Sequence, residues 1–142
     1  MIQKLKQLYQ TKKEIINYLI FGLLTTIVNY IAFFSLLLLF KQIPTVISNT
    51  IAWFISLLFA YFTNRRWVFQ SQAKSLKAIL IEFWWFLIAR IFSLFIDNLI
   101  VYLGIDRWHQ NELLVKLVSQ ILIVILNYLF SKWIFKSKKA PK

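Results

Sequence analysis

The sequence predicts an all-α polytopic membrane protein with four transmembrane helices, and three observations carry that prediction. Of its 142 residues 60% are hydrophobic and 18% aromatic, and the mean hydropathy of +0.67 lies well outside the range of a soluble domain. The apolar residues gather into four runs of about 20 or more, the length that crosses ~30 Å of hydrocarbon. Two of these runs end alike, in Asn64-Arg65-Arg66-Trp67-Val68-Phe69 and in Ser131-Lys132-Trp133-Ile134-Phe135, the latter reached through Asn127-Tyr128. Trp prefers the membrane interface and cations reach for headgroups, so both stretches read as cytoplasmic helix ends, with Asn64, Trp67 and Trp133 as interface anchors.

Taken in order, Met1 to Lys13 carries Lys4, Lys6, Lys12 and Lys13 without the apolar run of a signal peptide, and reads as a cytoplasmic lead-in. The first helix is expected at 16–40, a stretch without charge. Lys41, Gln42 and Pro44 make a tight turn, Pro44 suiting the first turn of a helix, where its missing N–H costs nothing. The second helix is expected at 45–64. Gln70 to Lys77 is a short polar connection that returns the chain to the membrane on the same side. A third helix at 79–103 is apolar except for Glu82, Arg90 and Asp97, and Gly104 is placed to end it. The loop from Asp106 to Asn111 leads to a fourth helix at 113–135, with Lys116 near its entrance, followed by a basic tail from Lys136 to Lys142. Two Gly and two Pro leave no flexible linker, so a single domain over 1–142 is expected.

Orientation follows from Lys and Arg, which accumulate on the cytoplasmic side. Four spans put both termini on one side, which then holds 13 of these cations, against three (Lys41, Arg107 and Lys116) on the other. The bias predicts cytoplasmic termini and one fixed topology. An internal repeat is also visible. Tyr18-Leu19-Ile20 corresponds to Phe86-Leu87-Ile88, and the same offset pairs Thr25 with Ser93 and Asn29 with Asp97. Both halves enter from and return to the cytoplasm, so the expected arrangement is two helix hairpins as parallel repeats about an axis along the membrane normal.

Polar groups inside the spans are the candidate functional residues, because an ionisable group in a membrane is functional by default. Arg90 lies about 11 residues into the third helix, roughly 16 Å from its start and near the bilayer centre. It is read as a group that binds a phosphate or sugar in transit, the alternative being a structural tie to a carboxylate or amide. Asp97, two turns further on, is too distant for a direct ion pair and is read with Asn29 and Asn127 as hydrogen-bonding along a translocation path. Helix-to-helix bonding is the alternative for each. Arg65 and Arg66, and with them Lys132, suit a lipid phosphate at the cytoplasmic surface.

Several classes are excluded or disfavoured. There are no cysteines, hence no disulfide, thiol catalysis or thiolate metal site. The single histidine, His109, has no partners at metal-ligand spacing, and no catalytic triad, phosphate loop or carboxylate pair stands out, so no catalytic residue, metal or cofactor is assigned and an enzyme is not expected. The net charge of +12 is dispersed between apolar runs, which points to anionic lipids and not to nucleic acid.

With four spans, Asn-Arg-Arg-Trp-Val-Phe closing the second and Asn-Tyr-x-x-Ser-Lys-Trp-Ile-Phe closing the fourth, the chain resembles the GtrA-like family from about Ile16 to Lys136. The resemblance implies a part in cell-surface polysaccharide synthesis: flipping of a polyprenyl-phosphate-linked sugar across the cytoplasmic membrane, with a polyprenyl-phosphate glycosyltransferase as partner. A non-transporting anchor or assembly subunit for that glycosyltransferase is the alternative. A small proton-coupled exporter fits less well, because Glu14 lies at the membrane edge. Four thin helices enclose little space, so a homo-oligomer is expected.

Overall fold

A computed structural model of the protein describes residues 1–136, and the rest of the expected basic tail lies outside the described residues. Four α-helices account for nearly all of them: α1 (Ile2–Leu39), α2 (Thr45–Thr63), α3 (Leu76–Val101) and α4 (Glu112–Lys136). Each is long and apolar enough to cross a membrane. The described residues contain no strand.

Helix α1 begins far earlier than the expected 16–40. Its first turns hold Gln, Lys and Leu, which favour helix, and no Pro or Gly precedes Gly22. Nothing therefore stops a helix that the apolar run propagates, and the lead-in is its first third. Pro44 is the N-cap of α2, its carbonyl accepting from the Ile47 and Ser48 amides. Ser75 caps α3 by accepting from the Ala78 amide at 3.2 Å. Asn111 does the same for α4, its side-chain oxygen 2.9 Å from the Leu113 amide.

Helices α2 and α3 both finish in wider π-type turns, at Asn64–Val68 and Tyr102–Arg107. In the first, the Phe69 amide donates to the Asn64 carbonyl at 2.9 Å and the Ser71 amide to that of Arg65 at 2.8 Å. In the second, Trp108 donates to Leu103 at 3.0 Å and Gln110 to Gly104 at 2.9 Å. Gln70 and His109, each at φ 50°, reverse the chain. Gly104 is therefore not the left-handed cap its position suggests. It sits inside the turn, where a Cβ would come within 2.6 Å of Val115 Cγ1, so its small size lets α4 approach.

The chain divides into two compact units, Met1–Ser71 and Gln72–Lys142. Each is an antiparallel helix hairpin. In the first, Tyr18 meets Phe69 at 6.2 Å, Phe21 stacks on Trp67 at 5.7 Å, and further along Asn29 Nδ2 donates to Ser56 Oγ at 3.3 Å. In the second, Phe86 meets Phe135 at 5.9 Å, Trp85 meets Trp133 at 5.8 Å and Phe92 meets Phe130 at 5.9 Å. Ser93 then donates to Asn127 Oδ1 at 2.6 Å, and Ser119 donates to Asp97 Oδ1. Lipid offers helices almost no hydrophobic incentive to pair, so such ring contacts, at ~0.5–1.5 kcal/mol each, and interhelical hydrogen bonds hold the hairpins.

Candidate functional site

The conspicuous sequence motif lies where α2 runs into its π-type turn. That turn buries Asn64 and Val68, while Trp67 faces outward, 52% exposed. Arg66 is exposed and sits 5.7 Å from the Trp67 ring centre. Arg65 is half-buried. Asn64, read from sequence as an interface anchor, is an inward residue whose side-chain oxygen is buried and accepts no hydrogen bond. At the matching end of α4, Trp133 is 56% exposed, and Lys132 is exposed with its Nζ 5.7 Å from the Tyr128 ring centre. Each hairpin thus presents outward-facing Trp beside cations at its open end, the arrangement suited to headgroup phosphates.

Arg90 is half-buried on α3. Its guanidinium carbon lies 4.8 Å over the Phe86 ring, one turn back toward the Trp-bearing end, and Phe86 is held in turn by Phe135. Cation–π attraction of about 0.5–2 kcal/mol orients it. No carboxylate or hydrogen-bond acceptor among the described residues engages it. Counted from the Trp85–Trp133 pair, which suits the interface, Arg90 is five residues deep, about 8 Å. Counting from Ile79 places it closer to the centre, because it takes residues level with or above the Trp pair as part of the hydrocarbon span.

The other intramembrane polar groups form separate pairs. Asp97 and Asn127 belong to the second hairpin and are bonded to Ser119 and Ser93. Asn29 belongs to the first and is bonded to Ser56. Asn49 and Gln120 face outward.

Two features escape the sequence reading. Glu82 is 1% exposed, a carboxylate buried near the start of α3. The offset of 68 that pairs Tyr18 with Phe86 also pairs Glu14 with Glu82, and that is the signal. The second is a groove of about 470 Å³ on the α3–α4 hairpin, lined by Trp85, Ile88, Ala89 and Phe92 of α3 and by Phe130 and Trp133 of α4. Its α3 wall recurs at i, i+3, i+4 and i+7, one helix face. Among the described residues no group of three metal-ligating side chains converges.

Residues 17–135 match the family described as GtrA/DPMS, transmembrane domain. Among curated proteins the chain is 40% identical over 127 residues to the cell wall teichoic acid glycosylation protein GtcA of Listeria monocytogenes, covering 89% of this chain and 87% of the relative. It is 39% identical over the same length to GtcA of Listeria innocua, with the same coverage. The uncharacterized membrane protein YwcD of Bacillus subtilis is 38% identical over 123 residues, 86% of this chain and 96% of the relative. No solved structure matches the chain significantly. Four spanning helices, the two Trp-bearing hairpin ends and a match over nearly the whole length agree, and the chain belongs to the GtrA/DPMS transmembrane-domain family.

Proposed function

We propose that the protein flips a polyprenyl-phosphate-linked sugar across the cytoplasmic membrane, supplying glycosylation of a cell-surface polymer of the teichoic acid type. Family membership and the relatives' part in teichoic acid glycosylation support the pathway. Arg90 carries the mechanism. A cation inside a span costs at most about 2.5–3.5 kcal/mol on insertion scales, the value at the helix centre, and less at the depth of Arg90, yet no carboxylate among the described residues offsets it, which suits a group that receives an anion.

In this reading both termini are cytoplasmic, as the cation bias favours, and the hairpins are parallel repeats. Arg65, Arg66 and Lys132 gather the lipid phosphate among anionic lipids. Arg90 lowers the barrier to the phosphate and sugar as they leave the interface. Asn29, Asp97 and Asn127 exchange their bonds to Ser56, Ser119 and Ser93 for sugar hydroxyls. A second copy completes the enclosure, and a polyprenyl-phosphate glycosyltransferase uses or supplies the lipid. In liposomes with matched insertion, Arg90→Ala is expected to slow movement of the lipid-linked sugar by about tenfold or more, ~1.4 kcal/mol in the barrier, and Arg90→Lys to slow it less. An unchanged rate in Arg90→Ala overturns the mechanism.

One observation favours the anchor reading. Helix α1 runs on about 24 Å from Tyr18 to its start at Ile2, and exposes Ile2, Leu5 and Leu8. Such an extension suits a partner's surface. Under that reading, replacing these three by Ser abolishes polymer glycosylation in cells, and the purified wild-type protein moves no lipid-linked sugar across liposomes. If transport by the purified protein is absent and glycosylation still needs these residues, the anchor reading replaces the flippase.

A further inference from the structure

Two amides of the second hairpin face outward from membrane-spanning helices. Asn98 on α3 and Gln120 on α4 are exposed, and neither side chain hydrogen-bonds another described residue. Each follows or precedes no cation that could neutralise a charge, and each adjoins a member of the Asp97–Ser119 hydrogen bond. Asn98 is 13 residues from Trp85, and Gln120 is 13 from Trp133. Both therefore lie about 20 Å from the Trp-bearing end, about 10 Å inside the far edge of a ~30 Å hydrocarbon core. Hydrocarbon offers neither donor nor acceptor, so a polar group there is satisfied by protein or left at a cost. Neither amide has the long stem that carries a lysine head to the interface.

Helices α3 and α4 run antiparallel, so one residue past the Asp97–Ser119 contact turns each helix by about 100° toward the same flank of the hairpin. Asn98 and Gln120 thus stand on one flank at one depth. Four residues further out on the same helix faces are Tyr102 and Lys116, again level with each other, and four residues further in are Leu94 and Val124. All four are exposed. The flank carries two columns matched level by level, Leu94, Asn98 and Tyr102 on α3 and Val124, Gln120 and Lys116 on α4.

We propose that this flank is the contact between two copies of the chain. The bias of Lys and Arg predicts one orientation in the membrane, so two copies pair about a two-fold axis along the membrane normal. Rotation about that axis leaves depth unchanged and sets α3 of one copy opposite α4 of the other. Asn98 then meets Gln120 of the second copy, and Gln120 meets its Asn98, each amide donating and accepting. One turn out, the Tyr102 ring faces Lys116 of the second copy. One turn in, Leu94 packs against Val124. A second copy brings matching amides to the matching depth by construction, whereas a lipid chain brings none. This contact concerns assembly and does not depend on what the protein moves.

The test uses the full chain in phosphatidylcholine vesicles at low protein-to-lipid ratio. The sequence has no cysteine, so Asn98→Cys and Gln120→Cys chains, separately tagged and co-expressed, form a disulfide only between copies. Oxidation is expected to give a dimer carrying both tags, and little of it when Asn98→Cys is paired with Leu122→Cys, an exposed position on the opposite flank of α4. Energy transfer between fluorescently tagged chains, followed on dilution with lipid, is expected to show association about tenfold weaker when Asn98→Leu and Gln120→Leu are combined. Leu favours insertion, so such a loss is not a failure to enter the membrane. No mixed dimer, equal cross-linking of the two pairs, or unchanged association of the double Leu variant overturns the proposal. A dimer that moves no lipid-linked sugar would instead remove the flippase reading and leave this interface standing.

Discussion

A guanidinium inside a span can be neutralised by a carboxylate, satisfied by carbonyls, or kept for a ligand. Arg90 lies against the Phe86 ring without either of the first two among the described residues, and the third alternative is the one its placement favours. The sequence made the charge legible but not its environment, since the Phe86 and Phe135 rings that orient it are separated by about 50 positions. Glycine offers a cleaner contrast. A Cβ at Gly22 would meet nothing within 4 Å, whereas one at Gly104 would collide with both Val115 methyls at 2.6 and 2.8 Å. Gly104→Ala is expected to destabilise the protein by about 1–3 kcal/mol through overpacking. Gly22→Ala should be neutral or stabilising by up to ~1 kcal/mol from helix propensity. Thermal unfolding of the two variants in detergent checks both, and equal losses would show that Gly104 is not a contact residue.

At the scale of elements, hydrophobic run length located all four helices, while their ends followed local hydrogen bonding that run length does not encode. Helix α1 extends to Ile2 because nothing breaks it, and the connections close through π-type turns reversed at Gln70 and His109. Which polar groups would pair was not legible, because spacing along one helix does not fix the register of its partner. Asp97 meets Ser119 and Asn127 meets Ser93, although all four were visible as polar positions. A double-mutant cycle on Ser93→Ala and Asn127→Ala should give a coupling of about 0.6–2 kcal/mol. Strictly additive losses would contradict a hydrogen bond between α3 and α4.

For the whole molecule, the charge distribution and the family set the account. The chain lacks cysteine, so single introduced thiols report topology without background. Lys74→Cys is expected to react only with reagent from the cytoplasm, and Gln42→Cys and His109→Cys only from outside. Labelling of Lys74→Cys and Gln42→Cys from the same side would remove the four-span arrangement. Family membership was legible from the two Trp-bearing ends. The groove was not, because spacing along α3 does not show which rings of α4 stand beside it.

The central claim is transport, and the most direct measurement is the rate at which a polyprenyl-phosphate-linked sugar crosses the bilayer of liposomes holding the purified protein, against protein-free liposomes of the same lipid. The account predicts a rate well above the protein-free control that falls when Arg90 is replaced by Ala. Equal rates with and without correctly inserted wild-type protein would contradict it.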